Sequence, residues 1–389
     1  MKARTIQLGE MVSIVGGGTP SRDRADYFDG EIPWVTVKDF SDDFFIRGSR
    51  ERISRLGLED SASRLIPAGN VLLVTRMSVG KAAINLVDVA INQDLKALFC
   101  NPQLDPRYLT FFLTLASPRL EAQASGATVK GITLDDVEAL EIPLPDLSEQ
   151  QRIAARLEQA HRLRRTRRYA LELSDTLLPA AFLELFGDPI TNPLGFPIAE
   201  LGDFLSFVTS GSRGWAEYYV TEGARFIRSL DVRMNYISDE DAVFVNPPQG
   251  AEADRTRVKA GDVLLTITGS QIGRVAPVPD RVDGAFISQH VAILRLKSGL
   301  LPVFLSMFLS LGVGGQREIA RLQYGQTKPG LNLDQIREFR IPVPPLSLQQ
   351  KFAGLVERAE RLRSVQRESL RQAEHLFATL LHHAFVMEA

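Results

Sequence analysis

The chain has 389 residues, 44% of them hydrophobic and 24% charged, with a formal net charge of −2; it is too long for one ordinary domain and too apolar for global disorder. The near-neutral balance excludes coating nucleic acid by bulk charge, and the single cysteine, Cys100, excludes an intramolecular disulfide or a thiolate metal cage. The longest apolar runs, such as 71–74 and 303–309, fall far short of the roughly 20 residues of a membrane helix, and the opening "MKARTIQLGE" has no signal-peptide core, so a cytoplasmic protein is expected.

In chain order, "IQLGEMVSIVGGGTPSR" (6–22) reads as a short element followed by a Gly-rich turn, and "WVTVKDF" (34–40) as an extended run. "IPAGNVLLVTRMSVGKAAI" (66–84) reads as turn, apolar strand and polar Gly-containing loop, and is followed by the strand "INQDLKAL" (91–98). An aromatic helix-like segment, "YLTFFLTLAS" (108–117), leads through the loop "SGATVKGITLDDV" (125–137) to a hinge, "IPLPDLSEQQRI" (142–153). The prolines hold that hinge extended, and Ser148 is expected to cap a long helix behind it.

Taking alternate steps of three and four, the helix carries Ile153, Leu157, Ala160, Arg164, Arg167, Leu171, Ser174, Leu178, Ala181 and Leu185 on one seam, with Pro179 expected to bend it. The Gly/Pro/Asn-rich stretch 184–197 stops the helix, and then the whole series starts again. "AELGDFLSFVTSGSRGW" (199–215), "FIRSLDV" (226–232), "VKAGDVLLTITGSQIGRVAPV" (258–278), "ISQHVAIL" (287–294), "FLSMFLSLGV" (304–313) and "YGQTKPGLNLDQI" (324–336) answer the first half in order. A second hinge, "IPVPPLSLQQKF" (341–352), and a second helix capped by Ser347 follow, with a seam of Phe352, Val356, Ala359, Arg363, Gln366, Leu370, Ala373, Phe377, Leu380 and Ala384. Polar residues interrupt both seams at the same two steps.

This layout predicts a mixed α+β protein: two homologous α/β domains, 1–145 and 188–344, separated by a central helix (146–187) and a C-terminal helix (345–389) that pack as an antiparallel coiled coil with pseudo-twofold symmetry. The residues expected to carry the coil or a partner are Ile153, Leu157, Leu171, Leu178, Phe352, Val356, Leu370 and Phe377.

The ordered set of "GGGTPSR", "AGNVLLVTR", "SGATVKGI" and "IPLPDLSEQQRI", written twice, resembles the DNA specificity subunit of Type I restriction–modification systems. The resemblance implies two target recognition domains, each reading one half of a split, asymmetric site in double-stranded DNA. It also implies a helical spacer, two copies of an adenine methyltransferase subunit and, in a restricting complex, a translocating endonuclease subunit as partners. No catalytic activity and no cofactor belong to such a subunit; S-adenosylmethionine, ATP and Mg are expected on its partners. A non-catalytic protein-interaction scaffold built on the coil is the alternative reading.

Base reading calls for side chains with paired donors or acceptors on loops that can enter the major groove. The repeat puts such loops at matching points, with Thr19 and Arg22 against Ser212 and Arg213; Arg76, Ser78 and Lys81 against Ser270, Gln271 and Arg274; and Thr128 and Lys130 against Thr327 and Lys328. Arginines at 47, 50, 52 and 55, at 225, 228 and 233, and in "HRLRRTRR" (161–168) could add phosphate contacts or simply form solvated faces. "VNPPQG" (245–250) lacks the aromatic with which adenine methyltransferases stack a flipped base, "DLK" (94–96) lacks the upstream carboxylate of a metal nuclease, and "VGGGTP" (15–20) lacks the Lys-Ser/Thr of a P-loop. All three read as turns or strands.

Overall fold

The computed structural model describes residues 4–126, 129–324 and 330–386. Two compact units are present: Met1–Ala170 with Gln366–Ala389, and Leu171–Val365.

In the first unit the main sheet has the spatial order Val12–Gly16, Leu95–Cys100, Val71–Val74, Ala82–Asn85, Phe45–Ile46. Val71 and Leu73 face one core while Leu72 and Val74 face another, which is why this strand is apolar without alternation. A second sheet runs Glu51–Ile53, Ile32–Val35, Val89–Ile91, Leu65–Ile66, with Trp34 and Val35 paired in parallel to Ala90 and Ile91. The aromatic helix Pro106–Gln123 covers the main sheet, and its first turn is capped by the Asp105 carboxylate, which accepts from the Arg107 and Tyr108 amides.

The second unit repeats this plan. Its main sheet runs Leu205–Ser210, Val291–Leu296, Val263–Thr266, Val275–Pro277, and its second sheet again holds a parallel pair, Phe226 with Phe286 and Ile227 with Ile287. The copies differ in detail: the main sheet has four strands instead of five, Val232–Arg233 and Tyr236–Ile237 form a separate two-stranded sheet, and the aromatic segment is split into Pro302–Ser310 and Gly315–Leu322, because Gly312, Gly314 and Gly315 interrupt the run that stays helical in the first unit.

Each hinge is a strand that closes its own unit. Glu141–Leu144 pairs with Arg4–Gln7, and Arg340–Pro342 with Ile198–Glu200. The helices that follow, Leu147–Phe186 and Leu346–Phe385, have 40 residues each, about 60 Å of helix. The expected serine caps lie two residues too deep. Ser148 is inside the first turn, and the Asp146 carboxylate caps it by accepting from the Glu149 amide at 2.9 Å. Ser347 is likewise inside its helix, where the Pro345 carbonyl accepts from the Leu348 and Gln349 amides. The central helix runs unbroken through Pro179.

The opening half of the central helix puts Ile153, Leu157 and Ala160 into the first unit's core, beside Phe377, Leu381 and Phe385 from the closing half of the C-terminal helix. The second unit takes the other halves: Leu178, Phe182 and Phe186 pack with Phe352 and Ala359. Within each unit the helices run antiparallel. His161 lies against Phe377 and Arg168 against Glu374 in one; Asp175 pairs with Arg363, and Phe182 meets Phe352 at 5.4 Å, in the other. Leu171, Val356 and Leu370 are half-buried.

Late in each helix the expected seam slips by one residue. Arg168 rather than Arg167 turns inward, Phe182 and Phe186 are more buried than Ala181 and Leu185, and Leu381 and Phe385 more than Leu380 and Ala384. Alternating threes and fours average 3.5 residues per turn, whereas an α-helix has about 3.6, so the facing side drifts by about 20° per heptad.

Candidate nucleic-acid interface

In each unit one short segment gathers loops that are far apart in sequence. For the first unit it is 91–94, for the second 287–290. The Gly-rich loop packs so tightly on it that a Cβ on Gly17 would lie 2.1 Å from the Ile91 carbonyl oxygen, and one on Gly211 2.2 Å from that of Ile287. Only glycine fits such a backbone approach. Beyond Gly17, the Thr19 hydroxyl donates to the side-chain oxygen of Gln93.

The hairpin loop reaches the same segment through the Thr75 amide, which donates to the Asp94 carbonyl at 2.9 Å, and the Ile267 amide, which donates to that of His290 at 2.9 Å. A third loop closes on the hairpin tip by backbone pairing, Arg76 with Gly131 in one unit and Thr268 with Gly330 in the other. The three loop families matched by the repeat therefore converge in the same way twice.

Thr19, Arg76, Lys81 and Lys130 are exposed and Ser78 is half-buried. Arg22 is partly committed, paired with Glu51 at 2.7 Å and lying over the Phe28 ring at 4.4 Å. In the second unit Arg213 and Ser270 are exposed, and Gln271 and Arg274 half-buried. Ser212 corrects the expectation: it is buried and accepts from the Arg255 guanidinium at 3.4 Å, because the close approach at Gly211 turns the following residue inward. Thr128, Thr327 and Lys328 lie outside the described residues.

Four further side chains belong to these clusters and escaped sequence reasoning: Gln93, Lys96, Gln289 and His290. Burial, and then the nearby Arg76 charge, hold the Lys96 ammonium below the ordinary lysine range, so two cations share one place. In the second unit the His290 ring stands 2.6 Å from the Thr268 hydroxyl through Nδ1 and 3.0 Å from the Gln289 amide nitrogen through Nε2. The available signal was the match of "NQD" (92–94) to "SQH" (288–290), which marks a repeated polar interruption without saying what gathers there.

Other arginines are structural. Arg225 donates to the Phe226, Val243 and Ser238 carbonyls, and Arg228 pairs with the buried Asp231 at 2.8 Å. Within the 161–168 run, Arg165 and Arg168 bind Asp43 and Asp42 of their own unit, while the Arg164 guanidinium lies 4.0 Å from the Phe377 ring centroid.

Amides, hydroxyls and cations on converging loops offer hydrogen bonds to base edges and charge to phosphates. Fold and loops together define a duplicated α/β module that presents converging polar loops, each copy packed on paired helix segments.

The Type I restriction modification DNA specificity domain matches residues 2–173 and 236–372, and the chain belongs to that family. It is a specificity subunit, the non-catalytic member of a restriction–modification system. The MjaIX specificity subunit of Methanocaldococcus jannaschii is 26% identical over 383 residues, covering 90% of this chain and 85% of that protein. The EcoR124I/EcoR124II specificity subunit of Escherichia coli is 30% identical over 159 residues, 39% of each chain. The crystal structure of the S subunit from M. genitalium superposes with a TM-score of 0.62 at 16% identity, over 98% of this chain and 96% of that one, a likeness of fold. Among the described residues no helix is long and apolar enough to cross a membrane.

Proposed function

We propose that this specificity subunit reads a bipartite, asymmetric site in double-stranded DNA, with domain 1–145 on one half-site and domain 188–344 on the other. The observation that carries the reading is the repeated convergence of two loops on 91–94 and on 287–290, with a third closing on the hairpin tip, through matching hairpin bonds and different side chains. Equal frames set two equivalent readers; unequal side chains make the two half-sites differ. Length fixed by helical geometry makes the central and C-terminal helices a spacer that sets the gap. The partners are two adenine methyltransferase subunits and a translocating endonuclease subunit, and S-adenosylmethionine, ATP and Mg act on those chains.

The test is a domain exchange in the complex with the methyltransferase subunit. Replacing residues 1–145 with those of another family member should change one half of the methylated motif and leave the other half and the gap untouched. A change in both halves, or in neither, refutes the assignment.

A further inference from the structure

Met77 stands at the tip of the first unit's hairpin loop with φ 71°, the left-handed region. A three-residue turn closes around it, the Ser78 amide donating to the Arg76 carbonyl at 3.0 Å, a turn that is strained for any residue with a Cβ. The second unit makes the corresponding bend with Gly269 at φ 86°, and both hairpins continue into a glycine at φ 88°, Gly80 and Gly273. Glycine thus supplies the same bend without strain.

Among the described residues nothing compensates for methionine at this place. Its side chain is 67% exposed, so it buries little apolar surface. Yet its backbone is pinned: the Met77 amide donates to the Lys130 carbonyl at 3.1 Å, and the Gly80 amide to that of Val74 at 2.9 Å. A strained, exposed, apolar side chain is therefore held in a fixed position between the exposed Arg76 and Lys130, with Lys96 close to Arg76.

We infer that Met77 is a specificity-determining residue that reads the 5-methyl group of a thymine in one half-site, a reading that rests on the bipartite DNA recognition proposed above. Flanking cations mark where phosphates approach, and the thymine methyl is the apolar group that major-groove base edges present. An unbranched, polarizable thioether adapts to such a small apolar target.

The experiment uses the complete chain in complex with its methyltransferase subunit and duplexes in which each thymine of the methylated site is replaced singly by deoxyuridine. For the wild type, one replacement in one half-site should weaken binding about fourfold, the effect of one buried methyl group. Met77→Gly should lose that discrimination, binding the thymine and uracil duplexes alike, while its melting temperature rises because the strain is gone. Met77→Asn, which also tolerates the left-handed bend, should lose the discrimination too.

The inference is overturned if no thymine is sensitive in the wild type, or if the variants keep the same sensitivity. Loss of affinity for every duplex equally would also overturn it, since that describes a general wedge or a damaged loop. A wild-type complex without any split motif would instead remove the proposed function on which it rests.

Discussion

His161 is 4% exposed, with its ring centroid 4.3 Å from that of Phe44 and 5.8 Å from that of Phe377. Its Nδ1 accepts from the Arg164 side chain at 3.0 Å, so the folded site already faces a cation. Burial first, then the charges of Arg164 and Arg165, lower its pKa from 6.5 to about 4, against the weaker opposing pull of Asp43 and Asp42. Above pH 6.5 the ring is neutral folded and unfolded. Between about 6.5 and 4 the unfolded chain binds the proton more readily, so stability falls with pH through that window, by roughly 3 kcal/mol in all. Thermal melts at pH 7 and 4.5 should show the first unit losing stability in acid, and His161→Gln should lose much less; an unchanged acid dependence would assign it to other groups. The sequence showed this histidine only as the head of a basic run. Its burial comes from Phe44 and Phe377, distant in sequence, and no local pattern announces such neighbours.

Each long helix is fastened to its unit by one glutamine. Gln150, fully buried, accepts from the Asp105 amide at 2.9 Å and donates to the Gln103 and Pro145 carbonyls at 2.9 Å. Gln349, also fully buried, repeats this with the Leu301 amide and the Gly299 and Pro344 carbonyls. One side chain thus satisfies three backbone groups and locks together hinge, loop and the start of the aromatic helix. Gln349→Leu keeps the bulk and strands all three, so the second unit should lose roughly 2–4 kcal/mol. Amide exchange at Leu301 should accelerate well before global unfolding; unchanged exchange and melting would show that the clamp is dispensable. The long helices and hinge strands were legible from prolines and apolar spacing. The caps and the late seam were not, because they depend on where the first turn closes and on the small difference between 3.5 and 3.6 residues per turn.

With a net charge of −2, the whole molecule has no bulk attraction for DNA, so its electrostatic contribution must come from local clusters such as Arg76, Lys81, Lys96 and Lys130. Binding by the complex with the methyltransferase subunit should fall steeply with salt, about 0.9 logarithmic units per tenfold salt for each phosphate neutralised. Lys81→Ala should lower that slope by about one unit without altering the methylated motif. A flat titration would favour the scaffold reading, and a changed motif would make Lys81 a base reader.

By itself the sequence determined the duplication, the order of elements, the length of both helices and the family, because repeats, proline hinges and apolar periodicity are local properties of the chain. Tertiary structure decided which halves of the helices enter which core, that two loops close on 91–94 and on 287–290 with a third on the hairpin tip, and that Ser212 is buried and Arg225 tied to backbone carbonyls while Met77 is displayed. Those outcomes depend on contacts between residues far apart in the chain, whose partners are set only when the sheets pair and the cores close.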